Sequence, residues 1–599
     1  MQRPNWARLL LATTTLAVLA AAPAWSQKAP DTGAAPVTAD RLVNADKEPQ
    51  NWLTYHHDYA GHRYSGLNQI NRGNVANLHA AFTFPVGGLT GGGAFAHAAL
   101  EATPLVNGGF MYITNGWGEV FKLDVRGGYA KPLWKMDPQV DKEWAAAVTC
   151  CDIDNRGVGL WKDKVVSHTL DGRIILTDDA TGKKIWEQRL ASPDKGETIT
   201  AAPLIVKDLA ISGVSGAEKA IRGWIAATDL NTGKEVWRTY MIPGPGEPGN
   251  DTWKDNHKAW ETGGASTWGN GTYDPKLNML FWGTGNPGPD FDPEYRPGAN
   301  LWTESIVAID ADTGKMKWAH QYVPNDPHDY DEIGDHPLVD VTINGKPRQL
   351  VVHAGRNGFF WGFDRTTGEF LYGTQFVNKL NWTKGLDPKT GLPVEYDPAK
   401  PVQLWQAATT GLRGKPAAEE VCPTTMGGRN WQPTAYNPEL HQLYIPAIES
   451  CGTINPKEQS PPAADGGTWK LPTSFTGADV VKPSSVTGSI VAEDVSNGKI
   501  QHKLNTPFPM WGGMLTTAGG LLFTSTVDGW VRAYDAKSLK ELWKFNVGSG
   551  INAPPMTYSV NGKQYVAILV GAIQAAPWRG TQPAQAGMEA NSMLIVFAL

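Results

Sequence analysis

Asp229-Leu230-Asn231-Thr232-Gly233-Lys234-Glu235-Val236-Trp237 decides the fold, because the chain keeps rewriting it. Asp310 to Trp318 reads Asp-Ala-Asp-Thr-Gly-Lys-Met-Lys-Trp, and Asp178 to Trp186 reads Asp-Asp-Ala-Thr-Gly-Lys-Lys-Ile-Trp. Weaker copies start at Asp124, Asp364, Asp494 and Asp535, the first and last reaching Trp134 and Trp543, and a damaged copy starts at Asn437 in Tyr-Asn-Pro-Glu. Each copy reads as a strand, a tight turn with Gly where the backbone needs positive φ, and a second strand carrying an aromatic residue. The starts lie roughly 40 to 80 residues apart, and such a period means a repeat architecture. Alternating segments such as Gly109–Thr114, Leu277–Trp282 and Gly520–Ser525 fill the gaps. The fold class is therefore all-β: a β-propeller of about eight four-stranded antiparallel blades. A Trp at a fixed place in each repeat docks between neighbouring blades, which accounts for most of the 25 Trp residues.

Outward from the repeats, residues 1–26 read as a secretory signal: Arg3 and Arg8, the apolar run Leu9 to Ala22, and Ala24-Trp25-Ser26 for cleavage before Gln27. The run is short and interrupted by Thr13 to Thr15 and Pro23, which disfavours a membrane anchor. No twin Arg is present, so export in the unfolded state is expected. Loss of Arg3 and Arg8 takes the net charge from −6 to −8, which argues against a nucleic-acid partner. Residues 27–50, rich in Ala, Pro, Asp and Thr, read as a flexible leader, and 51–599 as one propeller domain. Ring closure requires Met593–Leu599 to share a blade with the segment near Ala80 to Val86.

Four cysteines in an exported chain point to disulfides. Two are adjacent, Cys150 and Cys151. Pairing Cys150 with Cys422 and Cys151 with Cys451, or the reverse, is the ordinary outcome; Cys422–Cys451 with a bond between the neighbours is the rarer one, and the residues alone leave both open.

Cys150-Cys151-Asp152-Ile153-Asp154-Asn155-Arg156-Gly157 resembles the vicinal-cysteine segment of the quinoprotein alcohol dehydrogenases, the pyrroloquinoline quinone (PQQ) enzymes of the methanol/ethanol dehydrogenase family. Ser215-Gly216-Ala217-Glu218, Gly283-Thr284-Gly285-Asn286-Pro287, Asp329-Tyr330-Asp331 and Trp511-Gly512-Gly513 are similar to that family's motifs and stand in the family's order. The resemblance covers essentially the whole mature chain. It implies Cys150–Cys151 and Cys422–Cys451 disulfides, with PQQ near the propeller axis between the vicinal pair and Trp268. It further implies cofactor contacts from Glu101, Arg156, Thr200, Ser215, Gly216, Ala217, Ser266, Arg356, Asn430 and Trp511. Glu218, the Asn286 side-chain oxygen and Asp329 form an all-oxygen set suited to a hard cation. Each also has an ordinary alternative: Glu218 as a solvated turn residue, Asn286 as turn chemistry, and Asp326, Asp329, Asp331 and Asp335 as a solvated acidic loop.

Asp331 refines the expectation. Calcium-dependent members carry a small or uncharged residue there, whereas lanthanide-dependent members place a second Asp, as this sequence does, so a lanthanide is favoured and calcium is the alternative. The family usually has Trp before the catalytic Asp; here it is His328. The implied chemistry is alcohol oxidation to an aldehyde or ketone by hydride transfer to PQQ, with the cation as Lewis acid, Asp329 as general base and Arg356 stabilising charge on the quinone. No Cys-x-x-Cys-His haem site occurs, so a separate periplasmic cytochrome c is the implied electron acceptor. A homodimer is one assembly open to such an enzyme, and stable membrane insertion is not expected. The loops Leu89–Leu100, Pro243–Trp260 and Pro461–Ser484 are expected to line the substrate pocket, and the glycines of Gly87–Gly93 to leave room for an alcohol larger than methanol. Two alternatives stand beside this reading: a non-catalytic propeller scaffold for outer-membrane protein assembly, and a calcium-dependent sugar or polyol quinoprotein dehydrogenase.

Overall fold

The repeats build a ring of eight four-stranded antiparallel blades, seen in a computed structural model that describes residues 33–93, 95–406, 409–461, 474–571 and 584–599. Blades 1 to 5 run in chain order over residues 105–136, 158–189, 204–240, 272–321 and 338–375. Blade 6 spans 435–506, blade 7 spans 515–546, and blade 8 takes three strands from 556–598. The fourth strand of blade 8 is His79–Pro85, which pairs antiparallel with Ser592–Ala598, Thr83 opposite Ile595. The two ends of the chain thus close the ring in the expected blade.

Asp124, Asp178, Asp229, Asp310, Asp364, Asp494 and Asp535 each end the third strand of blades 1 to 7. Asp229 shows the turn chemistry: its Oδ1 accepts the backbone N–H of Asn231 at 2.9 Å and of Thr232 at 2.8 Å, satisfying donors that would face the turn unpaired. Blade 8 needs no copy, because its outer strand arrives from the other end of the chain. The expected copy at Asn437 is a different turn. Asn437 ends the first strand of blade 6 and caps the turn into the second, accepting from Glu439 and Leu440. The same side-chain turn serves both places, which is why the sequence pattern confused them.

The repeat aromatics join blade to blade. Trp134, Trp237 and Trp318 donate their indole N–H to the carbonyls of Asp179, Ala311 and Arg365, each the residue after the motif Asp of the next blade. Tyr372 and Tyr444 do the same to Val495 and Ala536, and Trp543 to Leu78. The motif Gly lies under the incoming ring. At Gly314, φ is +71° and a Cβ would sit 2.6 Å from the Trp237 indole, so both backbone and space demand glycine.

Expected as a loose leader, residues 33–50 are packed from Val37 onward. Val37 bridges Lys162, Leu42 is buried, and Arg41 binds Glu48 at 2.6 Å and Asn107 at 3.0 Å. From Trp52 to Ser65 the chain ties several blades together. Tyr59 donates to Ile205 O, and the fully buried Arg63 donates to Met514 O and Pro555 O. The expected signal segment, residues 1–26, lies outside the described residues.

Candidate active site

In an antiparallel blade the start of strand 1 and the end of strand 2 lie at the same end of the sheet. Every residue singled out from the sequence sits there. Glu101, Cys150–Arg156, Thr200, Ser266, Trp268, Asp329, Asp331, Asn430 and Trp511 precede the first strands of blades 1 to 7, while Ser215–Glu218, Asn286 and Arg356 follow the second strands of blades 3, 4 and 5. The motif turns occupy the opposite end. One face of the ring therefore carries the chemistry and the other the repeats.

A cavity opens on that face, with about 710 Å³ of empty space counting its solvent-open mouth. Its wall includes the Cys150–Cys151 disulfide, with Trp268, Trp431 and Trp511 as flat apolar surface. The pair follows a short helix, Lys142–Val148, whose N-terminus is capped by Asp141. Cys422 bonds to Cys451, so the crossed pairings between the two regions are excluded.

One half of the cavity is built around Arg156. Its guanidinium lies 2.7 Å from Glu101 and 2.8 Å from Asp154, donates to Thr200 Oγ1 at 2.7 Å, and sits over the rings of Trp431 and Trp268 at 4.5 and 5.0 Å. Thr200 and Ser215 hydroxyls are 3.0 Å apart. Burial pushes the Glu101 carboxyl well above the usual range despite Arg156 beside it. A fork of donors and neighbouring hydroxyls suits a ligand bearing carboxylates.

The other half gathers carboxylates from three blades. Asp331 Oδ1 accepts the Asn286 backbone N–H at 2.9 Å, and its Oδ2 accepts from Trp268 Nε1 at 3.1 Å and lies 3.2 Å from Arg356. Asp329, at φ +63°, has Oδ2 bound by the Thr425 hydroxyl at 2.6 Å, and Arg356 donates to its backbone carbonyl at 3.0 Å. Asn286 donates its amide hydrogens to Pro287 O and Asp290 Oδ1, which turns its oxygen the other way. Asp329 Oδ1 and Asn286 Oδ1 are buried with no hydrogen-bond donor among the described residues. Burial, with Asp331 adding to it, raises Glu218 to about 7; burial also raises Asp329, Asp331 and Asp290. Such a cluster resists sharing one pocket as anions and is relieved by a cation. The donor set is all oxygen, with two acceptors left open, and it fits a hard metal ion.

Burial rules out one ordinary alternative, the solvated acidic loop, for three of its four Asp residues. Asp326, Asp331 and Asp335 are buried rather than solvated, and Asp335 is tied to Arg429 and Thr434 as an anchor beneath the site. His328 does not reach the cavity. It is fully buried, packs on Tyr330 with ring centroids 4.8 Å apart, and bonds Thr409 O through Nε2. Ala217, Ser266 and Asn286 sit immediately behind the wall, while the other expected residues line it. None of the described residues of the loops 89–100, 243–260 and 461–484 lines it. The glycines near residue 91 serve close packing instead: a Cβ on Gly91 would meet Phe95 O at 2.0 Å, and one on Gly92 would meet Ala146 at 3.1 Å. Their abundance therefore carries no information about substrate size. Thr149, Asp152, Asp154, Thr425 and Trp431 also line the cavity, and Asp290 stands behind Asn286. Asp152 and Asp154 lay inside the Cys150–Gly157 motif and Trp431 next to the expected Asn430, whereas Thr425 and Asp290 had no signal of their own.

Comparison with known proteins agrees with the fold. The family model described as "PQQ: Glucose/ethanol/alcohol dehydrogenase, beta-propeller domain" matches residues 52–378 and 484–566. The chain is 36% identical to a lanthanide-dependent methanol dehydrogenase of Methylacidiphilum fumariolicum, over 91% of this chain and 88% of that protein. It is 38% identical to a quinohemoprotein alcohol dehydrogenase of Comamonas testosteroni, over 93% of this chain and 78% of that one. Among solved structures, a europium-containing methanol dehydrogenase superposes with a TM-score of 0.83 at 34% identity, covering 94% of this chain and all of that one.

Proposed function

The chain belongs to the PQQ-dependent β-propeller alcohol dehydrogenases, and we propose that it is a periplasmic member that oxidises a primary or secondary alcohol to an aldehyde or ketone with a lanthanide as its cation. The carrying observation is that Glu218, Asp329 and Asp331 line one cavity, and that Asp329 Oδ1 and, just behind the wall, Asn286 Oδ1 are buried acceptors with no donor among the described residues. Asp329 and Asp331 pair with one guanidinium, Arg356, and Glu218 adds a third carboxylate to the same cavity, so a trivalent ion balances the site better than a divalent one. Among the described residues Asp331 Oδ1 takes one donor, the Asn286 backbone N–H, and can still serve the ion. Calcium is the alternative.

When bound, PQQ supplies the two-electron acceptor and the cation supplies Lewis acidity. The residues supply position, charge and proton transfer. Arg156, with the Thr200 and Ser215 hydroxyls, anchors carboxylates of the cofactor, while Glu101 and Asp154 fix the Arg156 fork. Asn430 lies 3.4 Å from Arg356 and presents a neutral polar edge to the same cavity. Trp268, Trp511 and the vicinal disulfide give the flat, dry walls a planar ring requires. Asp329 is the general base. Thr425 donates to its Oδ2, which fixes the carboxylate's orientation in the cavity. Burial makes that carboxylate a stronger base than an exposed one, and Arg356 keeps it in place.

A separate cytochrome c is the proposed electron acceptor, since all four cysteines are engaged in disulfides and none is left to attach haem. Among the described residues, no helix is long and apolar enough to cross a membrane. A scaffold for outer-membrane assembly would need neither the carboxylate cluster nor the Arg156 fork. Dye-linked oxidation by the purified protein, reconstituted with PQQ and either calcium or a light lanthanide, tests the reading. Turnover with the lanthanide supports it; turnover with calcium alone reassigns the cation; and no PQQ binding with either ion overturns it.

A further inference from the structure

Two segments that carry the proposed cation ligands come from different blades; on one side residues 263–265 join them, Gly264 N–H donating to Ile221 O and Ala265 N–H to Asn286 O, both at 2.9 Å. Glu218 stands in a single 3-10 turn, Ala217–Lys219, after the second strand of blade 3. Asn286 follows the second strand of blade 4 and is oriented by Asp290, four residues on. A third segment, Ser474–Gly477, touches both. The Phe475 N–H donates to Glu218 O at 2.7 Å, and Lys219 Nζ donates to Ser474 Oγ at 3.2 Å. On the other side the Phe291 N–H, next to Asp290, donates to Thr476 O at 2.9 Å.

The strap is itself anchored away from the cation site. Gln459 receives the Gly477 N–H at 2.8 Å and donates to Ser474 O at 2.7 Å, and Lys457 N–H donates to Gly477 O at 2.8 Å. The Phe475 side chain is fully buried, edge-on to Tyr295 with centroids 5.3 Å apart. Gly477 has φ +71°, and a Cβ there would stand 2.9 Å from Asp292 Cβ, so the strap lies directly on the segment that follows Asn286. Chain that belongs to blade 6 thus bridges the ligand-bearing turns of blades 3 and 4.

We propose that Ser474–Gly477 is a positioning clamp for the cation site, with Phe475 as its anchor: it fixes the Glu218 turn and the Asn286–Asp290 pair at the separation the ion requires. The inference rests on the cation site proposed above. Outer partners that orient metal ligands change affinity by about 10- to 100-fold when removed, and Phe475→Ala is expected to weaken cation affinity within that range. Gln459→Ala, at the partly exposed end of the strap, is expected to weaken it less. Phe475→Leu, which keeps an apolar anchor, should recover much of the affinity.

The test is a terbium titration of the full-length protein followed by luminescence sensitised through Trp268, with the melting temperature recorded with and without the ion. Weaker terbium binding in both Phe475→Ala and Gln459→Ala, with the ion-free melting temperature little changed in Gln459→Ala and turnover recovered at saturating ion, supports the clamp. Unchanged terbium affinity in Gln459→Ala and in a folded Phe475 variant overturns it. Equal loss of melting temperature with and without the ion also overturns it, because the role is then only structural. A wild-type protein that binds no terbium overturns the cation site itself, a result separable from failure of the clamp alone.

Discussion

Replacing Arg156 with Met should damage stability and cofactor binding together, to a degree set by what the guanidinium leaves behind. Arg156 lies within 2.8 Å of two buried carboxylates, Glu101 and Asp154, and holds Thr200. Taking one partner from a buried ion pair costs about 3–5 kcal/mol, because the remaining charge has no water to return to. Glu101 can soften that cost by taking a proton, since burial already pushes its carboxyl up. A folded-state pKa raised above the unfolded value means that stability is retained below the unfolded pKa and lost as pH rises through the folded one. The destabilisation of Arg156→Met should therefore be smaller near pH 5 than near pH 8. For the cofactor, losing charge-assisted hydrogen bonds of about 1.5–3 kcal/mol should weaken PQQ binding by roughly 10- to 150-fold. Arg156→Lys keeps the charge but not the fork, and should fall between. Urea denaturation of the cofactor-free protein at both pH values, and PQQ titration by fluorescence quenching, read the two effects. An Arg156→Met protein with wild-type stability at pH 8 and wild-type PQQ affinity would refute the assignment.

Three further outcomes follow from the same geometry. Glu218 is held protonated up to about 7 by burial and Asp331, so a cation must displace at least its proton below that pH; affinity should climb at least about tenfold per pH unit between about pH 5 and 7, and a flat terbium titration over that range contradicts it. Asp331→Ala removes one carboxylate and the partner of Arg356 and Trp268; lanthanide affinity should fall by about 100-fold or more, with calcium affected less, by competition titration. Gly314→Ala, strained at φ +71° and 2.6 Å from the Trp237 indole, should cost about 2–4 kcal/mol, whereas Gly345→Ala, with φ +75° and open space, should cost about 1 kcal/mol in urea midpoints.

The architecture was legible because its repeat chemistry is local. An Asp that caps its own turn, a residue at positive φ (Gly in six copies, Leu539 in the seventh) and an aromatic two or more residues later need no knowledge of the rest of the chain, and seven copies reveal blades 1 to 7. Asn437 shows the limit, since the same capping chemistry appears at the turn between first and second strands. Closure by Ser592–Ala598 with His79–Pro85 was readable from an unpartnered terminal strand.

The site is less legible, because it is assembled from loops of seven blades and neighbours in space are far apart in sequence. Glu218, Asn286 and Asp329 were visible through motifs; Thr425, which holds Asp329, lies 96 residues away from it. The pocket loops were misplaced for a related reason: glycine-rich composition reports backbone freedom, and Gly91 and Gly92 spend it on packing against Phe95 and the Lys142–Val148 helix rather than on an open mouth.

The central claim is that Glu218, Asn286, Asp329 and Asp331 hold one cation. The most direct measurement is an anomalous difference map from crystals of the PQQ-loaded protein grown with a lanthanide. The account predicts a single strong peak on the strand-entry face, within about 2.3–2.6 Å of oxygens from all four residues. A peak elsewhere, or one that Glu218 and Asp329 do not touch, would contradict it.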